Sequence, residues 1–62
     1  MYHYRCYVEV NRESVPVYIS SAKELNNEEI GEKAIQTFID SAKTHDQSFV
    51  ASELVPLGFV RV

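Results

Sequence analysis

The feature that most constrains this chain is a single cysteine, Cys6, in a sequence of only 62 residues. A domain of this size buries only about 60% of the surface that its unfolded chain exposes, so its stability alone is marginal. Small domains usually compensate with disulfides, a bound metal or a partner subunit. One cysteine cannot form an intramolecular disulfide, and a lone thiol is typical of a reducing compartment. We therefore expect a cytoplasmic protein that gains from self-association.

The composition is that of one small folded domain covering residues 1–62. Apolar residues make up 45% of the chain and charged residues 24%, near the globular averages and unlike disordered, collagen-like or membrane-spanning chains. The net charge is -3 and no run of basic residues occurs, so we do not expect duplex nucleic acid as a partner. Strand-like residues follow Met1 directly, which predicts neither a signal peptide nor a membrane anchor.

Residues 2–10 alternate with a period of two, which predicts a β-strand. One face carries Tyr2, Tyr4, Cys6, Val8 and Val10, and the other carries His3, Arg5, Tyr7 and Glu9. A polar turn over residues 11–14 separates this strand from a second alternating run that begins at Val15, and the two runs predict a β-hairpin. Pro16 cannot donate a ladder hydrogen bond, so we expect the second strand at an edge of the sheet.

A helix is predicted over residues 27–43. A capping box that begins at Ser21 competes with a later one, Asn26 with Glu29, and the later box fits the apolar periodicity better. Gly31 costs the helix about 1 kcal/mol relative to alanine, which predicts a close approach to the sheet or to a partner helix. The apolar stripe of the helix consists of Ile30, Ala34, Ile35, Phe38, Ile39 and Ala42.

The tail after the helix has no single clean period. Strands over residues 48–55 and 59–62, with a bend or bulge at residues 56–58, are the preferred interpretation, and a helical turn over residues 48–54 is the alternative. The predicted fold is α+β, a two-layer β-β-α-β arrangement (ββαββ with a fourth short strand). One helix packs on a small, mainly antiparallel sheet of strand order 2-1-3. The expected core, besides parts of the tail, is Tyr4, Cys6, Val8, Val17, Ile19, Ile30, Ala34 and Phe38.

A single helix covers only one side of a sheet, so the other side stays open. Tyrosine and arginine are enriched at interaction hot spots, although a solvated sheet face also carries them in cross-strand pairs. The sequence therefore predicts a non-enzymatic protein-interaction or accessory and regulatory module, of the kind that bacterial and phage genomes encode. It would act as a homodimer, face to face or edge to edge, or bind another protein. The candidate partner-binding residues are His3, Arg5, Tyr7, Tyr18 and, depending on the tail, Arg61.

The same face supports an alternative function, the binding of single-stranded nucleic acid. Tyrosines beside an arginine on an open sheet can stack unpaired bases. The net negative charge and Glu9 in the middle of the face argue against it, because phosphate contacts supply much of such affinity.

Catalytic and metal-binding constellations are missing from the sequence. His3 and Cys6 are three residues apart on a strand, which sends them to opposite faces and argues against a thiolate–imidazole pair or a shared metal. His45 follows the helix, where an imidazolium suits the helix dipole and a capping role. No glycine-rich loop joins a strand to a helix. We therefore predict no catalytic residue, no cofactor and no metal site, and do not expect an enzyme.

Overall fold

The elements of the fold follow the predicted order. The computed structural model describes residues 1–62 and contains β1 (Tyr2–Val10), β2 (Glu13–Ser21), α1 (Asn27–Lys43), a short 3-10 helix (Ala51–Glu53) and β3 (Val55–Arg61). The strands form one antiparallel sheet of order β2-β1-β3, and α1 packs against one of its faces. The α+β class, the β-β-α-β order and the central first strand are confirmed.

The hairpin turn is tighter than the sequence predicted. Asn11 and Arg12 both have positive φ, at 51° and 68°, as a type I′ turn requires because its twist matches that of the flanking strands. The predicted turn over residues 11–14 was too long, since β2 begins at Glu13 opposite Val10. The prediction was too long because Glu13 and Ser14 are polar residues at the exposed end of a strand, and such residues look like part of a loop in the sequence.

The two-residue turn also determines where each backbone group of β2 points. Val10 and Glu13 close the hairpin, so this pair and every second pair after it exchange both backbone hydrogen bonds. Pro16 lies opposite Tyr7, between two such pairs, where the backbone nitrogen of β2 points away from β1. The proline therefore costs the ladder no hydrogen bond, and β2 is an edge strand as predicted.

The capping box at Asn26 and Glu29 begins α1, which confirms the later of the two predicted starts. The Glu29 N–H donates to Asn26 Oδ1 at 2.8 Å, and the Asn26 N–H donates to Glu29 Oε1 at 3.0 Å. The hydrogen bond from the Asn26 backbone lowers the pKa of the Glu29 carboxyl, and the nearby charge of Lys23 acts in the same direction.

The C-terminal end of α1 differs from the prediction for His45. Thr44 Oγ1 donates to the Ser41 carbonyl at 2.6 Å, so a hydroxyl and not the imidazole bonds to a terminal carbonyl. Asp46 then adopts a left-handed φ of 58°, and the Gln47 N–H donates to the Ala42 carbonyl at 3.0 Å. A side-chain hydroxyl and backbone N–H groups thus satisfy the last carbonyls of α1.

The core lies between α1 and the sheet. Every predicted core residue is buried except Phe38, which is only partly buried and packs against the core from its rim, its ring centroid 5.3 Å from that of Phe49. Val10 and Ile39 are also buried, which the predicted core did not include. The member that the tail supplies is Leu54, which is 5% exposed and follows the 3-10 helix. The predicted strand over residues 48–55 was therefore wrong and the helical-turn alternative is closer, because the chain turns here to insert Leu54 into the core. The buried cluster consists of Tyr4, Cys6, Val8, Val10, Val17, Ile19, Ile30, Ala34, Ile39 and Leu54.

A bulge in β3 occupies the predicted position. Tyr7 pairs with Gly58 and Val8 pairs with Pro56, so Leu57 is an extra residue in β3. A Cβ atom on Gly31 would lie 3.4 Å from Pro56 Cβ, which confirms that the helix approaches the sheet closely at this glycine.

Candidate interaction surfaces

Four of the five candidate partner-binding residues share the face of the sheet that α1 leaves uncovered, called here the open face. His3, Arg5 and Tyr7 alternate with the buried residues of β1. Tyr18 lies opposite Arg5 on β2 and is 66% exposed. His3 Nδ1 is 2.8 Å from Ser20 Oγ on the neighbouring strand. The open face thus carries an arginine between tyrosines, as the alternation of β1 indicated; its role in binding stays a prediction.

Arg61 lies on the opposite face, so its expected place on the open face was wrong. It pairs with Tyr4, a residue of the helix-covered face. Its guanidinium carbon is 4.7 Å from the centroid of the Tyr2 ring, and Nη1 is 4.0 Å from Glu24 Oε2. Both members of this ion pair are more than half exposed, so the pair contributes little to stability. The face of Arg61 depends on the bulge at Leu57, because one extra residue reverses the alternation that follows.

Arg5 carries an unpaired donor at the centre of the open face. Its Nε atom is buried and has no hydrogen-bond partner within the chain. Its guanidinium carbon is 5.9 Å from the centroid of the Tyr7 ring, and Tyr18 and Val60 flank it on the neighbouring strands. A buried donor without an acceptor costs about 1–3 kcal/mol. The buried Nε is therefore a cost to folding, and a partner on the open face would contact the guanidinium through its other donors.

A second surface, which the sequence did not indicate, runs along β3. Every residue of this strand is exposed. Its apolar members are Val55, Leu57, Phe59 and Val60, which are 48%, 52%, 37% and 46% exposed, and its one charged residue is the terminal Arg61. A strand that is apolar on both faces normally lies in the middle of a sheet. Here the topology places it at an edge of the sheet. An apolar strand at an edge position is the sequence feature that could have identified this surface.

An open groove of about 390 Å³ lies between α1 and β3. Cys6 is at its floor, Ile35 is on the helix side and Leu57 on the strand side, and Glu28 and Glu32 are its acidic residues. Burial raises the pKa of the Cys6 thiol, which keeps it protonated at neutral pH and a poor nucleophile. The groove is thus an apolar surface with an acidic flank and has no activated nucleophile.

Cys6 is buried on the helix-covered face and His3 is exposed on the open face, so the predicted separation of these two residues is confirmed. No group of three or more His, Cys, Asp or Glu side chains is placed to hold a metal ion. None of the helices has the length and apolar character needed to cross a membrane.

Comparison with protein-family models, curated proteins and solved structures finds no match to this chain. A proposal about its function therefore depends on the open face, the β3 surface and the groove. Each of these is a property of the chain's own side chains and their burial.

Proposed function

We propose that this protein is a non-enzymatic protein-interaction module that works as a homodimer. The observation that carries the proposal is the exposure of β3, whose four apolar residues Val55, Leu57, Phe59 and Val60 are between 37% and 52% exposed. Exposed apolar side chains clustered on one short strand are typical of interaction sites in soluble proteins. An exposed apolar edge strand is also a template for pairing with another chain.

The small size of the domain supports the same proposal. Only 12 of 62 residues are buried, and the chain exposes 4403 Å². A protein interface of standard size buries about 800 Å² on each partner, which would cover about a fifth of this surface. Burying apolar area in a dimer offsets the incomplete burial of a short chain. The free thiol of Cys6 supports a cytoplasmic location for such a module, because thiols stay reduced there.

We expect the purified protein to be a dimer at micromolar concentration. Sedimentation velocity and light scattering over a dilution series measure the molecular mass directly. A non-covalent dimer dissociates on sufficient dilution, so the same series gives its dissociation constant. A mass of one chain at the highest soluble concentration would contradict the proposal.

A second candidate function, binding of single-stranded nucleic acid, is supported by the position of Arg5 between Tyr7 and Tyr18 on the open face. Bases could stack on the tyrosines while a phosphate or a base edge accepts from the arginine. Titration with labelled oligonucleotides at two salt concentrations tests it. Binding that weakens with salt and is lost in Tyr18→Ala would support this function, whereas absent or salt-independent binding would eliminate it.

A further inference from the structure

We infer that the homodimer forms by antiparallel pairing of β3 with β3 of a second copy. The two three-stranded sheets would join into one six-stranded sheet with a twofold axis between the β3 strands. This inference rests on the proposed function and specifies the interface that the function would use. Three observations carry it: the free edges of the sheet, the side chains of β3 and the charges beside the groove.

The two edges of the sheet are not equally able to pair. On β2, Pro16 removes a backbone donor from the middle of the outer edge, which blocks a further strand there. On β3, the Val62 N–H donates to the His3 carbonyl at 3.0 Å. Because backbone groups alternate in direction, those of Val60 also point toward β1, while those of Phe59 point outward. The outer edge of β3 is therefore free to form hydrogen bonds.

The side chains of β3 protect its edge only at the two ends of the strand. Natural edges are blocked by charges, prolines, strong bulges or a covering element. In β3 the bulge and Pro56 lie near the start and Arg61 lies at the end, which leaves residues 57–60 without either a charge or a proline. A second β3 beside this segment would cover Leu57 and Phe59 and close the open side of the groove.

Charge complementarity identifies a second copy of this chain as the occupant. Antiparallel pairing about a twofold axis places the Arg61 end of each β3 beside the Pro56 end of the other. Helix α1 passes over that end, because the Gly31 backbone lies against Pro56. Glu28 and Glu32 line the groove there, and no Lys or Arg lines it. Arg61 lies on the helix-covered face, the side on which these glutamates lie, so each copy brings one cation to two carboxylates of the other.

Pairing of two copies through the open face is less favourable, because it would bring like charges together. Arg5 lies near the middle of the central strand of that face, and its Nε is already without a partner. Stacking two open faces about a twofold axis would bring Arg5 toward its own copy and remove water from both. Like charges juxtaposed in an interface weaken association.

A charge exchange between two variants tests the interface. Arg61→Glu would place a carboxylate against two glutamates, and the double variant Glu28→Arg/Glu32→Arg would place two cations against an arginine. We expect each to self-associate about tenfold or more weakly than the wild type, because like charges meet twice in each symmetric dimer. An equimolar mixture of the two should form a heterodimer, since opposite charges then meet at both contacts. Sedimentation velocity of each variant and of the mixture measures this.

Matched controls separate the interface from general effects of charge. Glu24→Arg removes the intramolecular neighbour of Arg61, at 4.0 Å, and should remain dimeric. Tyr18→Ala alters the open face and should also remain dimeric. The substituted residues are exposed, so far-UV circular dichroism should show native folding. Leu57→Lys, at a position 52% exposed, is a second disruption of the same edge should one of the charge variants fail to fold.

Hydrogen exchange at the Phe59 amide reports on the backbone pairing itself. This N–H points away from β1 and should exchange slowly in the wild-type dimer and rapidly in Arg61→Glu. A wild-type dimer in which Arg61→Glu changes nothing, or a mixture that forms no heterodimer, would overturn the β3 interface and leave the proposed function standing. A monomeric wild type would overturn both.

Discussion

Tyr4→Ala is expected to destabilise the protein by about 3–5 kcal/mol, the range for removing a large buried aromatic side chain. Tyr4 is 2% exposed, and its ring meets that of Phe59 edge to face with centroids 5.9 Å apart. Its hydroxyl accepts a hydrogen bond from the Leu25 N–H at 3.3 Å, so the substitution leaves both a cavity and an unpaired donor. Folded proteins have a free energy of unfolding of about 0.05–0.15 kcal/mol per residue. For a chain of 62 residues, a loss of this size would therefore unfold much of the population.

Urea denaturation followed by circular dichroism measures the free energy of unfolding for this variant. Tyr18→Ala is the matched control, because Tyr18 is on the open face and 66% exposed; its effect should stay within about 0.5 kcal/mol. All samples should be compared at one protein concentration, since dimerisation makes apparent stability depend on concentration. Equal losses for the two tyrosines would contradict the assignment of the two faces.

The two glycines are expected to respond to alanine with opposite signs. Gly58 has a φ of 154°, a region that side chains rarely adopt, so Gly58→Ala should cost about 1–3 kcal/mol. Gly31 lies within α1, and a new Cβ would reach ordinary contact distance from Pro56, at 3.4 Å. Gly31→Ala should therefore raise stability by up to about 1 kcal/mol through helix propensity.

Thermal and urea unfolding of the two glycine variants at equal concentration distinguish these expectations. Each glycine serves as the control for the other, because the chemical change is the same and only the backbone environment differs. A loss on Gly31→Ala would mean that the contact with Pro56 leaves no room for a methyl group. Unchanged stability on Gly58→Ala would mean that the bulge relaxes to accept a side chain at no cost.

The two candidate surfaces are compatible with each other. Pairing through β3 uses an edge of the sheet, so it leaves Arg5, Tyr7 and Tyr18 on the open face uncovered in both copies. A β3-paired dimer would then present this tyrosine and arginine surface twice on one continuous sheet. Homodimerisation and the binding of a further partner are thus separable by mutation, as the Tyr18→Ala and Arg61→Glu variants are designed to show.

The features that the sequence alone determined are those set by local chemistry. The alternation over residues 2–10 separates buried from open-face residues because strand side chains alternate strictly. The Asn26 and Glu29 capping box begins the helix through hydrogen bonds between residues three apart. Four of the five candidate partner-binding residues reached the open face for the same reason, and Gly31 marked a close approach because a helix interior rarely retains glycine without one.

What the tertiary structure decided is how the tail meets the sheet. The sequence predicted the strand order 2-1-3 and a bend or bulge at residues 56–58, but it did not give the register of β3 against β1, with Leu57 as the extra residue, or the exposure of the apolar side chains of β3. The register turned Arg61 to the helix-covered face, because one inserted residue reverses every side chain that follows. The edge position left Val55, Leu57, Phe59 and Val60 exposed, because no fourth strand covers them. Both depend on contacts between residues about fifty positions apart, which local sequence patterns do not encode.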